Sequence, residues 1–190
     1  MNEKTAHIVK AAQSLFSRYG YGKTTMGDIA TEAGVARQTV YNAFPGKTEI
    51  LRAVVKASGE DTIAAVRTAW ETATTLEAKM AAFHEAGPIA WFEAVRSSPD
   101  WAEMMEGVHQ AASAELNVVY DKFAVILGEM FRAEIDAATL PDPDLNALVE
   151  FYLFASMNAK YGADDVTHLR ARLATIQAAA LALLNTYRNG

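Results

Sequence analysis

Apolar residues recur along this chain at the three- and four-residue spacing of helices, and almost no stretch alternates with the period of a strand. The first apolar stripe predicts an amphipathic helix over about residues 4–19, and it comprises Ile8, Ala11, Ala12, Leu15 and Phe16. The same spacing predicts a helix that starts at Thr74 or Thr75 and others over about residues 26–33, 37–43, 47–73, 100–109, 112–137, 143–160 and 165–187. The fold is therefore predicted to be all-α, with about nine helices.

Glycine and proline mark where these helices break. Gly87-Pro88 predicts either a kink or an end, because proline lacks the N–H that continues a helix. Pro99 and the segment Pro141-Asp142-Pro143 are firmer boundaries, each with proline in a first helical turn. Tyr161-Gly162 is expected to stop the next helix, and Asp164 to cap the last one.

Residues 24–47 form a pattern typical of two short helices joined by a tight turn. Thr25 and Asp28 have the spacing of a capped helix start, in which the hydroxyl caps the first turn and the carboxylate complements the dipole. Gly34 stands where a helix must end sharply, because glycine can adopt the left-handed conformation. Val35 and Val40 are expected to pack the second helix onto the first.

The second short helix is unusually rich in side chains that form hydrogen bonds. An apolar stripe opposite a face of arginine, amide and hydroxyl groups is what reading a DNA major groove requires, and here that face carries Arg37, Gln38, Thr39, Tyr41 and Asn42. Arg37 could pair with guanine, Gln38 or Asn42 with adenine, and Thr39 with a thymine methyl group or a phosphate. Lys47 places a positive charge beside the free backbone N–H groups at the start of a helix, and it is therefore predicted to bind a phosphate. Thr25 is either a second phosphate contact or a helix cap alone.

About fifteen positions in the first 55 residues agree in register with the tetracycline-repressor (TetR) family of bacterial regulators, which this segment therefore resembles. The matching residues include Thr24, Thr25, Ile29, Ala30, Ala33, Gly34, Val35, Thr39, Val40, Tyr41, Phe44, Lys47 and Ile50. The resemblance implies that Tyr41 bonds a phosphate, and that a homodimer binds a palindromic operator and leaves it when a small molecule enters the body. Three departures concern sequence preference: Ala36 removes a side-chain helix cap, Gln38 adds a base reader, and Ala43 replaces a common DNA contact.

Composition and charge agree with this interpretation. The chain has 190 residues and no cysteine, which excludes disulfides and Cys-based metal sites. It has no signal-peptide pattern and no apolar run long enough for a bilayer, so a cytoplasmic protein without membrane contact is expected. The net charge of −6 divides into +3 for residues 1–60 and −9 for residues 61–190. A basic N-terminal part on an acidic body can face phosphates while the rest is repelled.

The body is predicted to bind an apolar or aromatic effector, because ligand cavities combine apolar and aromatic walls with a few polar groups. The candidate effector-binding residues are Trp91, Phe92, Met104, Met105, His109, Tyr120, Phe123, Phe154, Met157 and Asn158. Each aromatic or methionine residue could equally be ordinary core. His84 and His168 are interpreted as surface or hydrogen-bonded residues. The four histidines lack a metal-binding spacing, so neither a metal nor another cofactor is expected.

The last two helices are predicted to form the dimer interface, through small and apolar side chains that allow close approach. The candidates are Leu148, Tyr152, Ala155, Leu169, Leu173, Ile176, Ala180 and Leu184. The helix over residues 145–160 has two apolar faces, one with Leu148 and Tyr152 and one with Phe151 and Phe154. Its periodicity leaves open which face meets the partner.

Together these patterns predict a helix-turn-helix DNA-binding domain over residues 1–47 and an effector-binding and dimerisation domain over residues 48–190. The expected function is a ligand-responsive transcriptional regulator, most simply a repressor. The alternative is a helical ligand-binding protein that does not read DNA, which Ala36 and Ala43 favour. An enzyme is not expected, because the sequence has no nucleophile–base arrangement, phosphate loop or metal cluster. Activator or repressor, the operator and the effector's identity stay open.

Overall fold

The computed structural model describes residues 2–96, 110–135 and 142–189, and within these ranges it contains helices and no strand. Helices α1 to α4 are Glu3–Tyr19, Met26–Glu32, Arg37–Ala43 and Lys47–Trp70. Helices α5 and α6 are Leu76–His84 and Ala90–Arg96, joined without a break by a π-helical turn over Glu85–Ile89. Helices α7 to α9 are Ser113–Arg132, Asp142–Asn158 and Val166–Asn189. The all-α prediction is confirmed, while the helix predicted over residues 100–109 lies outside the described residues.

The helices form two compact units, divided within α4 after Asp61. Among the described residues, the first unit holds residues 2–61, 94–96 and 110–119, and the second holds residues 62–93, 120–135 and 142–189. This division is one of packing, whereas the predicted boundary at residue 47 is one of function and stays a prediction. Among the described residues, no helix is both long and apolar enough to cross a membrane.

The first unit has its own apolar core, built from the buried faces of its short helices. The predicted stripe of α1 is buried, as are apolar residues of α2, α3 and the start of α4, namely Ile29, Ala30, Val40, Ile50 and Leu51. Complete burial of a leucine or isoleucine side chain stabilises a fold by about 1.5–3 kcal/mol. The turn after α2 has the conformation that the sequence predicts. Gly34 has φ +64° and its N–H donates to the Thr31 carbonyl, while the Val35 N–H donates to the Ala30 carbonyl, which is the predicted left-handed helix end.

The core of the second unit is aromatic. Phe83 of α5 lies edge-on to Phe123 of α7, with ring centroids 5.6 Å apart, and Tyr152 of α8 lies edge-on to Phe131 at 5.4 Å. Both arrangements are the preferred geometry of aromatic pairs. Phe123, a predicted effector residue, is 1% exposed and belongs to this core.

A buried polar network lies inside this aromatic core. The Tyr152 hydroxyl is 2.9 Å from His84 Nε2 and donates to the Met80 carbonyl at 3.4 Å, and Ser156 Oγ lies 3.2 Å from the same histidine nitrogen. Burial lowers the pKa of His84 to about 4, because a charged imidazole would lose its hydration there. His84 is therefore neutral at pH 7 and hydrogen-bonded, in agreement with its interpretation from sequence.

Of the two outcomes predicted at Gly87-Pro88, a kink or an end, the helix does not end there but continues through a widened turn. Pro88 has no N–H, and in a regular α-helix its ring would collide with the carbonyl of His84. A π-helical turn relieves that collision by opening the ring of hydrogen bonds by one residue. The chain thus passes from α5 into α6 and places Trp91 and Phe92 beyond the turn.

Candidate nucleic-acid interface

Helix α3 presents a polar face to solvent on the first unit. Val40 is completely buried and fixes the opposite side of the helix in the core. Arg37, Gln38 and Asn42 are exposed, and Tyr41 retains 41% of its surface. The structure thus brings four of the predicted base- or phosphate-contacting residues onto one accessible surface, because side chains one turn apart share a helix face.

The side chains on this face are paired along the helix. The Arg37 guanidinium lies over the Tyr41 ring, 5.7 Å from its centroid. Gln38 Nε2 donates to Asn42 Oδ1 at 2.9 Å. That bond does not use the Gln38 oxygen or the Asn42 amide hydrogens, which are an acceptor and a donor of the kind that the adenine edge matches. Side chains held by neighbours lose less rotamer freedom when they bind.

The charge of α3 also suits a polyanion. The helix carries one arginine and no carboxylate, so nothing on it repels phosphate. Ala36 makes no side-chain hydrogen bond to the first turn, as expected from its missing hydroxyl, and Thr39 is half-buried.

Thr25 occupies the predicted cap position at the start of α2. Its hydroxyl accepts the Asp28 N–H at 3.2 Å and donates to the Asp28 carboxylate at 2.8 Å. The Thr25 N–H also donates to that carboxylate, which completes a reciprocal capping box. These bonds lower the pKa of Asp28, because they stabilise its charged form. The cap is confirmed, and a phosphate contact by Thr25 stays a prediction.

Lys47 has a partner within the protein that the sequence did not indicate. Its ammonium donates to the carbonyls of Tyr21, Gly22 and Thr24, at 2.6, 3.3 and 2.9 Å. It also lies 4.3 Å from the centroid of the Tyr21 ring. These bonds use the three protons of the ammonium to hold the turn before α2, so the phosphate contact stays a prediction while the arrangement gives Lys47 a structural role.

The predicted effector residues lie in several places rather than one. Phe92 is buried with Ile89, Leu169 and Leu173, and Met157 is also buried. Phe154 and Asn158 lie on the exposed face of α8, where Phe154 meets Tyr120 edge-on at 5.7 Å. Met104, Met105 and His109 lie outside the described residues. No single site therefore unites the predicted set within the described part of the chain.

Sequence reasoning missed Lys160, which lies in the turn that follows α8. Its side chain is only 5% exposed, and its ammonium lies 4.3 Å from the centroid of the Trp91 ring and 5.3 Å from that of Tyr161. Burial lowers the pKa of Lys160 to about 8 and raises that of Tyr161 to about 12, because both charged forms lose hydration. No periodic signal marks Lys160, since a lysine after an apolar helix is usually a solvated helix end.

Most of the predicted dimer residues face the interior of their own unit. Six of the eight are at most 5% exposed, which leaves them no surface for a partner: Leu148, Tyr152, Leu169, Leu173, Ala180 and Leu184. Ala155 and Ile176 are half-buried. The second apolar face of α8 is the accessible one, with Phe151 43% and Phe154 49% exposed.

Comparison with known proteins agrees with the geometry of the first unit. Residues 8–54 match the sequence profile described as "Bacterial regulatory proteins, tetR family". The HTH-type transcriptional regulator TtgR of Pseudomonas putida is 38% identical over 58 residues, which is 30% of this chain and 28% of that protein. The HTH-type transcriptional regulator SrpR, also of Pseudomonas putida, is 28% identical over 145 residues, which is 73% of this chain and 64% of SrpR. The matched part is therefore less than two thirds of either relative.

The fold match extends over the whole chain. The solved structure of a TetR transcription regulator from Haloarcula marismortui ATCC 43049 superposes with a TM-score of 0.75 at 19% identity, covering 96% of this chain and 98% of that one. Identity at this level establishes the fold alone. The residues that carry the sequence match are those of the helix-turn-helix unit, including the polar face of α3. Residues 8–54 thus belong to the tetR family of bacterial regulatory proteins, and the chain as a whole has the fold of that family's solved members.

Proposed function

We propose that this chain is a transcriptional regulator that binds double-stranded DNA through α3, as a homodimer on a palindromic operator, and that a small apolar or aromatic effector releases it. The observation that carries the proposal is the exposed face of Arg37, Gln38, Tyr41 and Asn42, anchored from behind by the buried Val40. Such a helix can enter a major groove and read base edges.

Each side chain on this face has a distinct proposed role. Arg37 donates to a guanine edge, and its position over Tyr41 aims it along the helix. The bonded pair of Gln38 and Asn42 reads adenine. Tyr41, Thr39, Thr25 and Lys47 are proposed to position the helix through the phosphate backbone, with Lys47 acting mainly by holding the preceding turn.

A second copy of the chain is the proposed partner, on the exposed faces of α8 and α9. Phe151, Phe154 and Leu183 are large apolar side chains that remain 43–49% exposed, and an exposed apolar patch is typical of an interaction site. Around them α9 exposes small side chains that permit close helix approach, namely Ala171, Ala174, Ala178, Ala179 and Ala182. A dimer with two recognition helices about 34–36 Å apart would reach successive major grooves.

The proposed effector acts through its difference in affinity for the DNA-bound and released states. Couplings of this kind are typically about 1–3 kcal/mol, or about 5–150-fold in DNA affinity. Isothermal titration of the effector with and without operator measures this coupling, and equal affinities would exclude it.

Selection of random duplex DNA at about physiological salt, followed by sequencing, tests the DNA-binding proposal. We expect a palindrome to be enriched, and Arg37→Ala or Asn42→Ala to lose about 1–3 kcal/mol of discrimination at particular base pairs. Arg18→Ala is the matched control, because that arginine pairs with Glu32 on another part of the unit. The palindrome's half-site spacing reports the dimer geometry.

The same selection experiment can also refute the DNA-reading proposal. If the folded protein enriches no sequence, and its DNA binding lacks the steep salt dependence of counterion release, the DNA-reading proposal falls. The alternative, a helical ligand-binding protein whose α3 no longer reads DNA, would then stand. Ala36 without a cap and the exposed Ala43 are the features that favour it.

A further inference from the structure

Among the residues that the structure describes, the Lys160 ammonium is buried without an anionic partner. Its side-chain contacts there are the faces of Trp91 and Tyr161, and no carboxylate contributes to its electrostatic surroundings. A buried cation normally has a charged partner, because aromatic faces replace only part of its lost hydration. The buried ammonium thus carries a positive charge that a bound anion would neutralise.

The turn that carries Lys160 is held rigidly from behind. Arg172 of α9 donates to the carbonyls of Ala159, Tyr161 and Gly162, at 3.1, 2.7 and 2.9 Å. Its Nε donates to His168 at 3.1 Å. The guanidinium is thereby occupied with backbone carbonyls, which fixes the turn that carries Lys160.

The acidic side chains next in the chain form hydrogen bonds with His168. The Asp164 carboxylate lies 3.0 Å from His168 Nδ1, and the Asp165 carboxylate accepts the His168 N–H at 2.8 Å. Both aspartates are exposed at the start of α9. Neither neutralises Lys160.

We propose that Lys160 is the anion anchor of a binding site for a small aromatic carboxylate in the second unit, with Trp91 and Tyr161 as its aromatic contacts. One ammonium balances one negative charge, which fits a carboxylate and leaves a phosphate dianion with an excess buried charge. The ring of the ligand would pack against the half-buried rings of Trp91 and Tyr161, while Ile89, Phe92, Ala159 and Leu169 form a buried apolar cluster in the same unit. This proposal deepens the proposed effector response, on which it rests, since it names the chemical class of the ligand.

Titration calorimetry with benzoate tests the site directly, without DNA. We expect benzoate to bind the wild-type protein, and its neutral isostere benzamide to bind about 10- to 100-fold more weakly, because it lacks the charge-assisted hydrogen bond. Lys160→Met, which keeps the length of the side chain, is expected to lose the same factor. Lys122→Met, at an exposed lysine of α7, is the matched control and should bind benzoate like the wild type.

Proton uptake distinguishes an anchor from a structural lysine. A carboxylate beside Lys160 favours its charged form, so binding at pH 8 should take up as much as about half a proton, given a pKa of about 8 in the free protein. Heats measured in Tris and in HEPES give this number, and Lys160→Met should reduce it to zero.

The proposal fails if benzoate does not bind the folded wild type, if benzamide binds equally well, or if Lys160→Met leaves affinity and proton uptake unchanged. Binding of inorganic phosphate in place of benzoate would also overturn it. These outcomes are independent of the DNA selection. Benzoate binding without an enriched palindrome would refute the regulator proposal alone. An enriched palindrome without benzoate binding would refute the carboxylate-site proposal alone.

Discussion

The buried imidazole of His84 makes the stability of the fold depend on pH. The group has a pKa of about 4 in the folded protein against 6.5 in the unfolded chain, because burial disfavours its charge. Between these values the unfolded chain binds more protons, so the free energy of unfolding falls as pH decreases. From pH 7.5 to pH 5 the loss from this one group is about 2 kcal/mol, and it approaches about 3 kcal/mol near pH 4.

The perturbation that isolates this contribution is His84→Gln, which does not titrate and can still form hydrogen bonds with Tyr152 and Ser156. The assay is urea unfolding of both proteins between pH 7.5 and pH 5, at one protomer concentration because dimers unfold concentration-dependently. We expect the difference in unfolding free energy between wild type and variant to shift by about 2 kcal/mol toward the variant at pH 5. Parallel curves across this range would refute the assignment of a depressed pKa to His84.

Substitutions at a lysine, at two glycines and at an exposed phenylalanine test three further contacts. Lys47→Met is expected to destabilise the first unit by about 1.5–3 kcal/mol in urea unfolding, because the turn before α2 loses its charge-assisted bonds. Gly59→Ala should lower the free energy of unfolding by about 1–3 kcal/mol, since its new Cβ would lie 2.3 Å from Val119. At Gly34 a new Cβ meets no atom within 4 Å, so Gly34→Ala should lower it by about 1–2 kcal/mol through the positive φ alone. If the chain forms the proposed dimer, Phe154→Asp should convert that dimer to a monomer in light scattering at micromolar concentration, with helicity unchanged, because it places a charge on the proposed interface.

A specific result would refute each of these three predictions. Lys47→Met with unchanged urea unfolding would mean that the three carbonyl bonds contribute little. A Gly59→Ala protein as stable as the wild type would exclude steric overlap with Val119 as a destabilising effect. A Phe154→Asp protein that stays dimeric would move the interface away from this face, and Lys122→Met, elsewhere on the second unit, is the control for a general effect of surface charge.

The sequence predicted local structure well where one residue controls it. Thr25 and Asp28 identified the start of α2, and Gly34 its end, because capping and positive φ depend on side chains within one turn. The polar face of α3 could also be read directly, since Val40 marks the buried side and the remaining positions follow from 3.6-residue periodicity.

Periodicity could not resolve contacts that depend on which of two apolar faces turns inward. Helix α8 is apolar on both sides, so Tyr152 and Phe151 are equivalent in the sequence, yet the first is completely buried and the second exposed. Lys47 and Lys160 show the same limit for charge. A lysine is usually solvated, and only the fold reveals that one ammonium meets three carbonyls and the other meets two rings.

The π-helical turn over Glu85–Ile89 amounts to one extra residue inserted into an otherwise regular helix. If the same residues formed a regular α-helix instead, everything downstream would be rotated by about 100°, the angle between successive residues. Trp91 and Phe92 would then leave the positions from which they face Lys160 and Leu169. A homologous helix without the insertion would present different side chains at this place, so a gap-free alignment across residues 85–89 would pair residues that are not structurally equivalent.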